Sequence, residues 1–334
     1  MTERTGLVAE RPPDADAPPP AIDMCALPYD RDGWRAYFRH LAAEAPGYLR
    51  AFGKRVTAHF RADPAEYRRR LDAGDVDGAI EVLVERQPDR VDPVAHLRAA
   101  RAEGMVFQVA LGADYRLPDG QNINQRLVAL ASAAPDRIQA WAGLDLRSPR
   151  DAVAEMERMH AQGARGLAVT PFLDGVDPTD PSCDPVFGAA AELGMPVWIH
   201  TGQHFCVSRP AELSHPRNLD LIATRHPRLV LIAGHAGWPW VLETIAVAQR
   251  HRNVYIEFST HRPAWMGRAG SGWEPLLLYG RGAIRRKVMF GTATWVHDVS
   301  PSVLAREVAG IGLDEGVVRD WLYGNAARLL GLSS

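Results

Sequence analysis

The chain has 334 residues, 46% hydrophobic and 23% charged, with a formal net charge of −2. That composition fits a globular protein with ample material for a core, and the near-neutral balance gives no electrostatic basis for partnership with nucleic acid or an anionic membrane. No run approaches the ~18 consecutive apolar residues of a membrane-crossing helix, and the N-terminus lacks an apolar signal core, so a cytoplasmic location is expected.

In chain order, residues 1–20, with Arg11-Pro12-Pro13 and Pro18-Pro19-Pro20, are too rich in proline and too polar to pack, and read as a disordered leader. Residues 21–334 then read as one domain. A first strand is expected over 21–26. From 33 to 101 the pattern is helical, with Trp34, Tyr37, Phe38, Leu41, Tyr48, Leu49, Phe52 and Phe60 supplying apolar positions. No strand signal interrupts this stretch, which predicts a helical cap inserted after the first strand.

A regular alternation follows. Strands are expected over 105–111, 138–144, 166–170, 196–200, 229–233, 253–258 and 287–291, with helices between them at, for example, 150–162, 185–193, 219–226 and 239–250. Eight strand and helix alternations predict an α/β fold, a (β/α)8 TIM-type barrel, whose chemistry belongs at the C-terminal strand ends. Cys25, Cys183 and Cys206 are odd in number and lack CxxC spacing, which argues against a disulfide framework or a zinc knuckle. Lysine occurs only at 54 and 287, so a lysine-based mechanism is excluded on most strands.

Several blocks carry a family resemblance: 184–202, ending Val197-Trp198-Ile199-His200-Thr201-Gly202; the run from His226 through Gly234-His235-Ala236-Gly237-Trp238-Pro239-Trp240; Arg252-Asn253-Val254-Tyr255; Phe290-Gly291-Thr292; and 323–331. Over about 21–332 the chain resembles the amidohydrolase-related family, in the branch of aminocarboxymuconate-semialdehyde and resorcylate decarboxylases. The resemblance implies a metal held by an HxH pair ending strand 1, a histidine ending strand 5 and an aspartate ending strand 8, with a strand 6 histidine in proton transfer. His200 matches the strand 5 position and His235 the strand 6 position. The strand 1 motif stands here as Asp23-Met24-Cys25-Ala26-Leu27 and the strand 8 motif as Phe290-Gly291-Thr292-Ala293, so three of the four ligand positions are changed. The resemblance also implies a homodimer.

Catalytic zinc needs about three protein ligands, which this set does not offer; no metal or other cofactor is therefore expected, although Cys25, His200 and His235 remain a conceivable residual site. The expected catalytic residues are His235 as general base or acid, His200 as its partner, and Cys25. The expected substrate contacts are Thr170, His204, Arg209 as carboxylate anchor, Trp238, His261, Trp295 and His297. The reading is a metal-independent lyase or hydrolase acting on a small carboxylated unsaturated or aromatic molecule, plausible in specialised metabolism. A thiol hydrolase or acyl-transfer enzyme built on Cys25 and His200, and a non-catalytic binding protein, are the alternatives.

Overall fold

The computed structural model describes residues 17–332. Of the expected leader, residues 1–16 lie outside the described residues, while Pro18 and Pro19 are half-buried beside Gly104. Eight parallel strands run in sequential order: β1 (Ala21–Ala26), β2 (Met105–Leu111), β3 (Ile138–Leu144), β4 (Gly166–Val169), β5 (Val197–His200), β6 (Leu231–Gly234), β7 (Val254–Glu257) and β8 (Val288–Met289). The (β/α)8 barrel is thus the observed fold. The later strands are only two to four residues long and almost wholly apolar, as strands buried on both faces should be.

Closure between β8 and β1 rests on few bonds. Met24 N–H donates to Phe290 O at 3.0 Å and Ala293 N–H to Cys25 O at 2.9 Å. The Asp23 carboxylate completes the seam, accepting from Cys25 N–H at 3.0 Å, Thr292 N–H at 2.9 Å and the Thr292 hydroxyl at 2.6 Å. Asp23 is 1% exposed, so these three donors replace the water it has lost.

Six helices separate β1 from β2: α1 (Arg31–Glu44), α2 (Gly47–Ala51), α3 (Gly53–Phe60), α4 (Pro64–Asp72), α5 (Val76–Val84) and α6 (Pro93–Ala102). Asp30 caps α1 by accepting from Gly33 N–H at 2.9 Å, and its other oxygen takes the Arg126 guanidinium at 2.9 Å. Trp34 and Phe38 of α1 and Phe60 of α3 then stack into one cluster, with Trp34 and Phe60 centroids 4.9 Å apart and Phe38 lying 5.7 Å from Trp295 beyond β8. Aromatic pairs of this kind add to simple area burial, and here they tie α1 and α3 to the rim of the barrel. Among the described residues no helix is long and apolar enough to cross a membrane.

The Asp23 seam predicts that Asp23→Ala, which strips three buried donors of their acceptor, lowers unfolding free energy by about 3 kcal/mol or more. Urea denaturation followed by far-UV circular dichroism measures this, and a loss below about 0.5 kcal/mol would show that the seam contributes no more than an ordinary exposed hydrogen bond.

Candidate active site

The strand ends converge on one cavity of about 340 Å³. Cys25 of β1, His200 of β5, His235 after β6, Thr260 and His261 after β7, and Ala293 after β8 line it, beneath walls supplied by Trp198, Trp238, Trp295 and Phe172. The helices between β1 and β2 add Tyr37, Leu41, Tyr48, Phe52 and Arg55.

Two imidazoles meet edge to face in this space, with ring centroids 4.9 Å apart and planes at 77°. Each is oriented from behind by a serine. His200 Nδ1 lies 3.0 Å from Ser214 Oγ, and His235 Nδ1 lies 2.8 Å from Ser259 Oγ. Each ring therefore keeps Nε2 as the nitrogen not held by its serine. Behind Ser259 stands Glu257, wholly buried at the end of β7. Its Oε2 accepts from the Ser259 hydroxyl at 2.9 Å and from the Trp198 indole N–H at 3.0 Å, while Oε1 accepts from the Ser259 backbone N–H. Two glycines make this possible by close approach: a Cβ on Gly291 would overlap Glu257 Oε1, and one on Gly234 would overlap the Trp198 indole.

Desolvation dominates the electrostatics. Burial, reinforced by His261 and His297, pushes His235 down to about 3. Burial with His235 and His204 alongside holds His200 well below the usual imidazole range. His261 is pushed down to about 3 and His297 to about 4, again mainly by burial. The same loss of water pushes Glu257 up to about 7 against the hydrogen bonds that favour its ionised form. Burial and the nearby Glu257 carboxylate drive the Cys25 thiol well above its ordinary value, the wrong direction for a thiolate nucleophile.

Backbone strain collects at the same rim. His235 (φ 63°), Ala236 (φ 55°), Thr260 (φ 68°) and Ala293 (φ 46°) all occupy the left-handed region, directly after β6, β7 and β8. Non-glycine residues held there cluster at functional sites in proteins generally.

Of the residues expected at the site, Cys25, Thr170, His200, His235, Trp238, His261 and Trp295 line the cavity. Arg209 does not. Its guanidinium pairs with Glu44 at 3.1 Å and lies over Gly175, drawn off by a carboxylate of α1, so the expected anchor is spent outside the cavity. His204 also falls outside the lining: it stacks on Phe172 at 4.6 Å with Nε2 3.3 Å from Pro210 O. His297 is 2% exposed and neither ring nitrogen has a partner among the described residues, but it stands behind the lining rather than in it. Sequence reasoning missed Glu257 and Arg55. A lone acid in the apolar strand Val254-Tyr255-Ile256-Glu257 was a usable signal for the first; an arginine on an amphipathic helix gave none for the second. Arg55 lines the cavity and has no salt-bridge partner among the described residues.

Among the described residues no group of three or more His, Cys, Asp or Glu side chains is placed to hold a metal ion. The four positions that the family resemblance assigns to ligands carry Cys25, Leu27, His200 and Ala293. Leu27 and Ala293 have no donor atom, which leaves Cys25 and His200, short of the three protein ligands that a catalytic zinc uses. The residues present do not fit a metal centre of that kind.

An eight-stranded barrel with a histidine-lined cleft at its C-terminal strand ends is the layout of a barrel enzyme. The family model described as amidohydrolase matches residues 39–332, and the chain belongs to that family. Solved structures agree on the fold. An uncharacterised TIM-barrel protein from Bordetella bronchiseptica is 20% identical, with a TM-score of 0.68 over 93% of this chain and 98% of that one. A manganese-bound 5-carboxyvanillate decarboxylase from Novosphingobium aromaticivorans is 16% identical, with a TM-score of 0.65 over 96% and 99%. The 2,6-dihydroxybenzoate decarboxylase from Rhizobium is 18% identical, with a TM-score of 0.54 over 75% and 91%. No curated protein matches the chain.

The buried imidazoles set the acid response of the fold. In the unfolded chain each titrates near 6.5, so as pH falls from about 6.5 towards 4 the unfolded state takes up protons that native His200, His235, His261 and His297 refuse. Glu257 and Asp174, both pushed up to about 7, act oppositely because the native state protonates them first. With His40, His59, His96 and His204, also lowered by burial, eight imidazoles oppose four raised carboxyls, the other two being Asp23 and Asp114, so the urea midpoint should fall between pH 6.5 and 4.5; a midpoint that rises there would contradict the neutral-imidazole description.

Proposed function

We propose that the protein is a metal-independent acid–base enzyme that acts on a small carboxylated aromatic or unsaturated compound, with a decarboxylation or elimination step. The observation that carries this is the pair of neutral imidazoles, each oriented by a serine through Nδ1 and meeting the other inside a cavity of about 340 Å³. That volume lies within the range of ~300–1,000 Å³ found for small-molecule sites. The enzymes of similar fold that bear the names of 5-carboxyvanillate and 2,6-dihydroxybenzoate decarboxylase support an aromatic carboxylate as substrate class.

Trp198, Trp238, Trp295 and Phe172 offer flat apolar faces to a planar ring. Arg55, reaching the cavity from α3, is the carboxylate anchor: its guanidinium lies 5.8 Å from the Phe52 ring centroid and has no hydrogen bond or salt bridge to another described residue. Thr170 and His261 complete the polar rim, and Cys25 acts as a neutral filler of the floor.

In decarboxylation, Nε2–H of His235 protonates the ring carbon that bears the carboxylate as Nδ1 takes the Ser259 hydroxyl proton and Ser259 takes one from Glu257, so no imidazolate forms. The bond from that carbon to the carboxylate then breaks, its electron pair restores the π system, and carbon dioxide leaves. His200 Nε2 serves as the second acid–base group or holds a substrate oxygen. Run in the other direction, His235 Nε2 removes a proton in an elimination.

Assay of aromatic and unsaturated carboxylic acids for carbon dioxide release, with and without a chelator, tests the reading. Turnover should survive chelation, and His235→Asn should lower kcat by about 10²–10⁴-fold. One tightly held ion per chain together with chelator-sensitive turnover would overturn it. Arg55→Met should lower kcat/KM by about 10–100-fold, chiefly through KM, the loss of one charged hydrogen bond; an unchanged KM would remove Arg55 from substrate binding.

A further inference from the structure

The polar chain behind His235 has an arithmetic of its own. The Ser259 hydroxyl has one proton to give. With Glu257 ionised, that proton goes to Oε2 at 2.9 Å, because both carboxylate oxygens can only accept. Ser259 Oγ, which the Cys25 thiol also neighbours, then accepts from His235 at 2.8 Å, which places the ring proton on Nδ1 and leaves Nε2 as a lone pair towards the cavity. With Glu257 protonated on Oε2, every bond reverses: Glu257 donates to Ser259, Ser259 donates to His235 Nδ1, and the ring proton sits on Nε2. The Trp198 indole N–H and the Ser259 backbone N–H keep their acceptors in both arrangements, so inversion needs no heavy atom to move.

We propose that Glu257 is the proton store of this site and a positioning residue for its chemistry, exchanging a proton with the cavity through Ser259 and His235 by inversion of that hydrogen-bond chain. This rests on the acid–base reading above. When Nε2 takes a proton, Nδ1–H passes to Ser259 Oγ and the Ser259 proton passes to Glu257 Oε2. One proton enters, one carboxylate is neutralised, and the imidazole is neutral before and after. Delivery to substrate is the reverse.

The environment favours this outcome over an imidazolium. The elements around the pair present Asp23 and Cys25 from β1, His200 from β5, and His261 and His297 from the segments after β7 and β8; the start of that last segment adds only uncharged groups, Gly291 and Thr292. A cation on His235 would sit in this desolvated space beside further imidazoles, which is why its proton affinity is low. The carboxylate of Glu257 is desolvated near another carboxylate, Asp23, which is why it gains a proton readily. In a serine-protease triad the order is opposite and the carboxylate stays ionised. The arrangement presents a base of near-neutral strength at an imidazole nitrogen.

The test uses the ligand-free, full-length protein labelled with ¹⁵N-histidine. Long-range ¹H–¹⁵N spectra report which His235 nitrogen carries the proton from pH 5 to 9, and infrared spectra report the protonated-carboxyl band. In the wild-type protein the proton should move from Nδ1 to Nε2 on acidification, with its midpoint near Glu257's value of about 7. The tautomer ratio should change by about tenfold per pH unit around it, with the ring neutral throughout and the carboxyl band growing in step. Ser259→Ala should abolish the tautomer change while the carboxyl band remains; Glu257→Gln should abolish both. A doubly protonated His235 in that range, a tautomer constant from pH 5 to 9, or a switch that survives Ser259→Ala would overturn the proposal, and the wild-type measurement alone decides should either variant fail to fold. Switching without turnover on any carboxylic acid would uphold the store and overturn the functional reading; turnover without switching would do the reverse.

Discussion

Polar groups at the top of this barrel have lost their water, and each one is constrained by what it found instead. Asp23 found two backbone N–H groups and the Thr292 hydroxyl, and so became the seam between the first and last strands. Glu257 found Trp198 and Ser259, and so became the footing of His235. An unpartnered buried acceptor costs about 1–3 kcal/mol and an unpartnered buried charge far more, so these pairings are obligatory rather than decorative. Closure of the fold and orientation of the site are two outcomes of one requirement.

The same loss of water separates the strengths of neighbouring groups. Imidazoles are kept neutral and carboxyls are lifted towards neutrality, so a carboxyl and an imidazole that would be far apart in solution come to compete for one proton in inverted order. That imidazole and that carboxyl meet where no side-chain cluster among the described residues is placed to hold a metal ion. The left-handed residues after β6, β7 and β8 show that the loops which place these groups are held by their surroundings rather than by local preference.

Much of this was legible beforehand. The eight strands were marked by short apolar runs at regular spacing, and each fell within a few residues of its expected place because burial on both faces leaves few alternatives to Val, Ile, Leu and Ala. His200 and His235 were legible because each ends such a run. Arg209 was misassigned because sequence distance from His200 says nothing about Glu44, 165 positions earlier, which captures it. Arg55 was invisible because its helix packs over the mouth through Trp34, Phe38 and Phe60, a tertiary contact with no periodic trace. Glu257 was passed over for a subtler reason: its partners come from β5 and from two residues further along its own chain, and only the barrel's curvature brings the Trp198 indole within reach.

At Ala293, backbone and side chain pull in different directions. Its backbone sits in a conformation that Asp and Asn adopt several-fold more readily than alanine, so the main chain there still has the shape an acid would favour. An aspartate placed at 293 would meet no backbone obstacle, and would set a carboxylate in the cavity that the Cys25 thiol and the His200 imidazole already line.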